Sequence, residues 1–423
     1  MINKFSQFSV EEIHTYAKHM ICPPNLKNRD KATYSELGLN DFALYPFSEI
    51  NQKNTVNSDP KLLMDKMITA IKKSIDIEKE TILLLSDGKD SLSIALALSK
   101  MGIKCKTLTL LRKDDYELRS FVSEKAIELG HTPYFVDVEQ IFASFNKKTF
   151  LEACSSMNNP VLDQGFIFFV FGIQHFLLQN KISASACQFI DGLGNDEHLG
   201  YLPSKSQFSA FKLSKLNFWK AIPNSLSWLR WYLRSPAEAQ GDLSALSCFY
   251  PFDKALDINS YFSSIPRSTD EEFIDFRSFS RGKFHDHQCM IGKTKAAIDS
   301  LDSNIFYPWI DEDLSNFCFN LPSSEKYNFS ELKNKICLRK MLSDELSWNQ
   351  DKRGIDLFFD INMDDLILHI EEFVDRDVYE VILNKGFVAN SVRNRAMLEL
   401  LNLCGYLHVN GFDKRNIREL LLG

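Results

Sequence analysis

Residues 81–91, TILLLSDGKDS, constrain this chain more than any other stretch. Ile82, Leu83, Leu84 and Leu85 read as a buried strand that stops at a polar loop, Ser86-Asp87-Gly88-Lys89-Asp90-Ser91. A helical pattern follows at once in Leu92, Ile94, Ala95, Leu96 and Leu98, so the spacing predicts a helix over 91–101. A strand, a Ser/Gly loop and a helix N-terminus in succession present backbone N–H groups to a phosphate. The spacing is not G-x-x-x-x-G-K-[ST], which excludes the common mononucleotide loop. The alternation continues downstream: a strand at 107–111, a helix over 116–129 closed by Gly130, and a strand at 134–138. Strands alternating with helices argue for an α/β fold built on a doubly wound parallel sheet.

A second loop has the same character. Residues 186–201 read ACQFIDGLGNDEHLGY. A short strand containing Cys187, Phe189 and Ile190 ends in Asp191-Gly192-Leu193-Gly194-Asn195-Asp196-Glu197. The two glycines permit close backbone approach, and the paired acids stand where the strand C-termini of an open α/β sheet line a ligand crevice. Further on come YPWIDEDLSNFCFNLP at 307–322, LKNKICLRKML at 332–342 and WNQDKRGIDLF at 348–358. For each loop the plain alternative is structural: a capped strand–turn–helix for the first, a solvated Gly-rich turn for the second.

Taken in order, these segments resemble the asparagine synthetases and their diverged amide-forming relatives, such as β-lactam synthetases and lasso peptide cyclases. The first loop is similar to the pyrophosphatase (PP) loop S-G-G-x-D-S, with Asp87 in place of a glycine; the second is similar to G-x-G-x-D-E. Lys335, Leu338, Arg339 and Lys340 match a K-x-x-L-R-K helix, and Lys352-Arg353-Gly354-Ile355 match the family's final lysine loop, with Trp348 setting the register. The resemblance covers roughly residues 60–360. It implies a PP-loop fold with additional C-terminal helices, and an ATP-dependent carbon–nitrogen ligase that adenylates a carboxylate and passes the acyl group to an amine or ammonia.

By that resemblance, Ser86, Asp87, Gly88, Lys89, Asp90 and Ser91 bind the nucleotide's phosphates, and Gly192 lies against the nucleotide. Leu84, Leu108 and Thr109 frame its adenine and ribose; their alternative reading is ordinary strand core. Asp90 and Asp196 would hold Mg2+, and Lys352 would stabilise negative charge on the phosphate and then on the tetrahedral oxyanion. Leu193 stands where the family places Glu or Tyr and cannot carry a proton, which leans away from asparagine synthesis and toward natural-product, peptide or sugar modification. Residue 2 is Ile rather than the cysteine of a glutaminase, and residues 1–60 are expected to be an N-terminal extension ahead of a 61–423 synthetase domain. Nitrogen would then come as free ammonia, from a separate supplying protein, or as an amine on a small-molecule or peptide substrate.

Composition narrows the alternatives. The chain has 423 residues, 44% of them hydrophobic, enough for a sizeable core. Its net charge of −7 argues against non-specific nucleic-acid binding. It also disfavours a tRNA-modifying member of the PP-loop class, as does the lack of closely paired cysteines. Nine scattered cysteines and no apolar leader point to a reducing, cytoplasmic setting, and the apolar run 166–173 is too short to span a bilayer. Two side groups have bland readings: His285 and His287 would face different sides of a helix, and the Trp/Arg segment 228–234 reads as an amphipathic helix. A non-catalytic nucleotide-binding relative stays open beside the ligase.

Overall fold

The computed structural model describes residues 9–20, 59–143, 145–202, 205, 208–209, 212, 244–257, 269–279, 285–286, 289–348 and 362–423. Lys352, His287 and the 228–234 segment lie outside them.

Five strands form one sheet: β1 (Glu80–Leu84), β2 (Lys106–Leu111), β3 (Thr132–Asp137), β4 (Cys187–Asp191) and β5 (Asn304–Phe306). Their order is β3-β2-β1-β4-β5 and every pairing is parallel. The chain steps outward from β1 to β2 and β3, then returns to the other side of β1 for β4. The order therefore reverses between β1 and β4, where Leu84 is in register with Asp191. At such a switch point an open α/β sheet leaves a crevice above its strand C-termini.

Both faces of the sheet are covered, as near-continuous apolar strands require. Ile82, Leu84, Leu108, Leu110 and Phe189 share one core with the Phe-rich helix Phe166–Asn180 and the long helix Asn390–Val409. Leu83, Leu85, Leu111 and Ile190 share the other with the helices Pro60–Ser74, Lys89–Lys100, Tyr116–Glu128 and Ile336–Leu346. Alternate residues of one strand thus serve opposite cores, the two-residue period of an extended chain.

The helix Val10–His19 packs into the first core through Ile13, Tyr16 and Ala17. Ser9 and Glu12 close its first turn as a reciprocal capping box. The Tyr16 hydroxyl donates to Asn159 Oδ1 at 3.0 Å.

The helix after the first loop begins at Lys89, two residues earlier than its apolar pattern predicts. Gly88 is the extended N-cap and offers no side-chain cap, so Lys89 and Asp90 belong to the first turn and the loop proper is Ser86 to Gly88. β5 has no sequence signature, because three residues are too few to establish alternation. Among the described residues no helix is long and apolar enough to cross a membrane.

Candidate functional site at the sheet switch point

The two sequence loops meet above the C-terminal ends of β1 and β4. In the first, the Ser86 N–H donates to Ser91 Oγ at 3.1 Å and the Gly88 N–H donates to Ser86 Oγ at 3.2 Å. These bonds curl the loop back onto the first helical turn. The Thr109 hydroxyl donates to the Leu85 carbonyl at 2.7 Å and ties the end of β2 to the same turn. In the second loop Gly194 has φ +103°, a conformation that disfavours any side chain.

Asp90 and Asp196 converge on a third residue, Lys335. The Lys335 ammonium lies 2.8 Å from Asp90 Oδ2 and 2.5 Å from Asp196 Oδ1, and donates to Asn195 Oδ1 at 2.6 Å. Asn195 in turn donates to Asp90 Oδ1 at 2.8 Å. Lys335 caps the helix Ile336–Leu346 with φ +55°, a left-handed backbone that is uncommon for a side-chain-bearing residue. Burial works against its charge, but the carboxylates of Asp196 and Asp90 more than offset that and hold its pKa above the usual lysine value. Lys89, buried nearby, goes the other way: burial and the Lys335 ammonium push its pKa down to about 8. The Trp309 indole N–H donates to the Asp90 carbonyl at 3.2 Å and fastens the first helical turn from the β5 side.

A cavity of about 300 Å3 opens under the loops. Of the residues singled out from sequence, Leu84, Ser86, Gly88, Asp90, Ser91, Leu108 and Gly192 line it. Asp87, Lys89 and Thr109 are buried but do not line it. Asp196 joins the group through Lys335. Lys352 lies outside the described residues. Leu193 packs with Ile291 and Tyr307 and also reaches the cavity wall.

Three lining groups were not singled out from the sequence. Asp163 and Lys293 form an ion pair at 2.9 Å. Burial opposes ionisation of Asp163, and the Lys293 ammonium more than offsets it, leaving the carboxyl below its ordinary pKa. Asp191, the last residue of β4, is pushed up to about 6 by burial, against the pull of the Thr294 hydroxyl, the Lys293 ammonium and the nearby Gly192 and Leu193 N–H groups, which favour its ion. The only sequence cue was position: Asp191 directly precedes the first glycine of the second loop. Asp163 and Lys293 sit in segments with no motif.

The His285 ring lies 3.4 Å from Asp286, both buried and neither lining this cavity. All eight described cysteines are unpaired thiols. No protein-family model matches this chain, and no curated protein matches it.

Proposed function

We propose that this chain is an ATP-dependent, AMP-forming amide ligase of PP-loop type. It adenylates a substrate carboxylate with release of pyrophosphate, and passes the acyl group to an amine or ammonia. The observation that carries the reading is the Lys335 bridge between Asp90 and Asp196, set beside a cavity at the β1/β4 switch point. A volume of about 300 Å3 is at the small end of ordinary ligand sites. The helix N-terminus at Lys89 and the Ser86–Gly88 turn favour anionic groups such as phosphate. Ser86, Gly88 and Ser91 would contact the pyrophosphate; Leu84 and Leu108 form an apolar wall for the base.

The donor set fits magnesium. Asp90 and Asp196 offer hard carboxylate oxygens on either side of Lys335, and magnesium needs only one or two carboxylates when phosphate supplies the rest. Among the described residues no group of three or more His, Cys, Asp or Glu gathers to hold a metal by itself. When bound, magnesium would neutralise charge on the leaving pyrophosphate. The chain's own contribution is to position the phosphates by backbone N–H groups and to keep one ammonium, that of Lys335, among the acids.

A second reading, nucleotide binding without catalysis, is favoured by Asp87, a carboxylate 3% exposed inside the loop. The deciding experiment incubates the chain with ATP, magnesium and a panel of carboxylic acids. Exchange of labelled pyrophosphate into ATP, with AMP as product, supports the ligase; ADP and orthophosphate as products overturn it. Binding of ATP with no exchange across the panel favours the second reading.

A further inference from the structure

The cavity lining carries a surplus of acceptors. Asp191 is 8% exposed, and its Oδ2 has no hydrogen-bond partner. Gln164, in the same cavity lining, also has an unpartnered buried oxygen, Oε1. Leaving a carboxylate oxygen unpaired out of water is costly, and native structures rarely do so without reason. The local charge balance points the same way. Lys293 is the cation of this wall, but it is already committed to Asp163 at 2.9 Å. Arg395, a second cation acting on Asp163, is held by Glu399 at 2.6 Å. One Lys against Asp163 and Asp191 leaves one negative charge uncompensated. Phe168 and Phe169 supply an apolar wall beside it.

We propose that this part of the lining seats the primary amine of the acyl-acceptor substrate, with Asp191 as the acceptor for its N–H donors. The inference rests on the ligase reading of the same cavity and assigns the class of its second substrate: an alkylamine carrying an apolar stem, rather than ammonia drawn from a partner. In the acyl-transfer step the neutral amine's lone pair forms the new C–N bond. The bond from the acyl carbon to the adenylyl phosphate oxygen breaks, its electron pair leaving with AMP. The surplus proton on nitrogen passes to the Asp191 carboxylate.

The charged or titratable groups facing Asp191 are Lys293 on the helix Gly292–Asp299, Tyr307 just after β5, and Asp163 and Asp90 across the cavity. Tyr307 does not compete for the proton: burial and the Asp191 charge hold its phenol above its ordinary pKa, and its hydroxyl is shared with Thr294 at 2.9 Å. Asp191 itself sits near 6, a value suited to accepting a proton and returning it to water near neutrality.

The test is a ligand-observed NMR titration of the full chain with n-butylamine, 1-butanol and butyrate, alongside a separate titration with ATP and magnesium. We expect n-butylamine to bind at least about tenfold more tightly than the alcohol or the acid, the worth of one charge-assisted hydrogen bond. Asp191→Asn should erase that preference. Equal binding of the three, no binding of the amine, a preference for butyrate, or a preference that survives in Asp191→Asn would each overturn the assignment. Should Asp191→Asn fail to fold, Asp191→Ser is read in the same way, and the wild-type ranking stands as a test without either. Loss of ATP binding by the wild-type chain, with the amine preference intact, would instead remove the ligase reading and leave an amine-binding pocket.

Discussion

Gly192 stands so close to Ser91 that a Cβ built on it would lie 2.8 Å from the Ser91 amide nitrogen and 2.9 Å from its Cα. The neighbour is backbone in the first turn of the loop helix, so it cannot swing aside. The two sequence loops are thus packed against one another at the switch point, and the glycine's close approach is to the chain itself as well as to the cavity it lines.

Gly192→Ala should therefore push the loops apart. No positive φ is involved at this position, so the effect is steric. We expect a loss of about 2 kcal/mol of folding stability, the scale of overpacking in a rigid site, with weakened ATP binding. Denaturant unfolding and nucleotide titration measure the two. A variant with wild-type stability and affinity would show that the contact relaxes freely.

Lys335→Met removes the cation between Asp90 and Asp196. The lysine is buried, while the two carboxylates keep 20% and 27% of their side-chain surface. The penalty should fall between that of an exposed pair and a fully buried one, about 2 kcal/mol. Because the defect is uncompensated negative charge, magnesium chloride should restore more of the lost stability than sodium chloride at equal ionic strength. Equal recovery in both salts would mean that the carboxylates do not jointly attract a divalent ion.

Asp90→Asn and Asp196→Asn each leave Lys335 one carboxylate partner, so both variants should fold, as judged by near-ultraviolet circular dichroism. Under the ligase reading each loses a hard oxygen ligand, and pyrophosphate exchange should fall at least about a hundredfold, as for loss of one electrostatic stabiliser. Near-normal exchange in either variant would remove that residue from the metal assignment.

Asp191 makes stability depend on pH in a defined direction. Its pKa is about 6 when folded against 3.8 for the free carboxyl, because burial disfavours the ion. Between those values the folded state binds more protons than the unfolded state, so the contribution is fully present below about pH 4 and is lost as pH rises through about 6. Asp191→Asn should abolish this slope. It should stabilise the chain above pH 7, by up to about 3 kcal/mol, and leave stability near pH 4 unchanged. Parallel unfolding curves at pH 4 and pH 7.5 decide it; equal differences at both would refute the titration.

Much of this architecture is legible along the chain. The apolar runs at Ile82, Thr107 and Phe189 are strands because a sheet covered on both faces asks every residue to be buried, and that writes an unbroken apolar run into the sequence. The Ser86–Ser91 and Asp191–Glu197 loops announce themselves because glycine, serine and aspartate between a strand and a helix are local requirements of a tight turn. Boundaries were less exact where a cap did not depend on side chains: Gly88 caps its helix with backbone alone, and the start at Lys89 left no polar signature.

What local pattern determined, then, was the βα alternation, the two loops and the acids within them, each dictated by dihedral preference and burial within a few residues. Only the tertiary structure decided what those acids face. Lys335 reaches Asp90 across 245 residues, and Lys293 reaches Asp163 across 130. β5, three residues long, joins the sheet through its pairing with β4 alone. Such partners are selected by the packing of distant elements, which carries no periodicity and no motif. The loop sequence could thus indicate an anion site, while the ammonium between its acids and the unpaired oxygen of Asp191 exist only once the sheet has brought its far segments together.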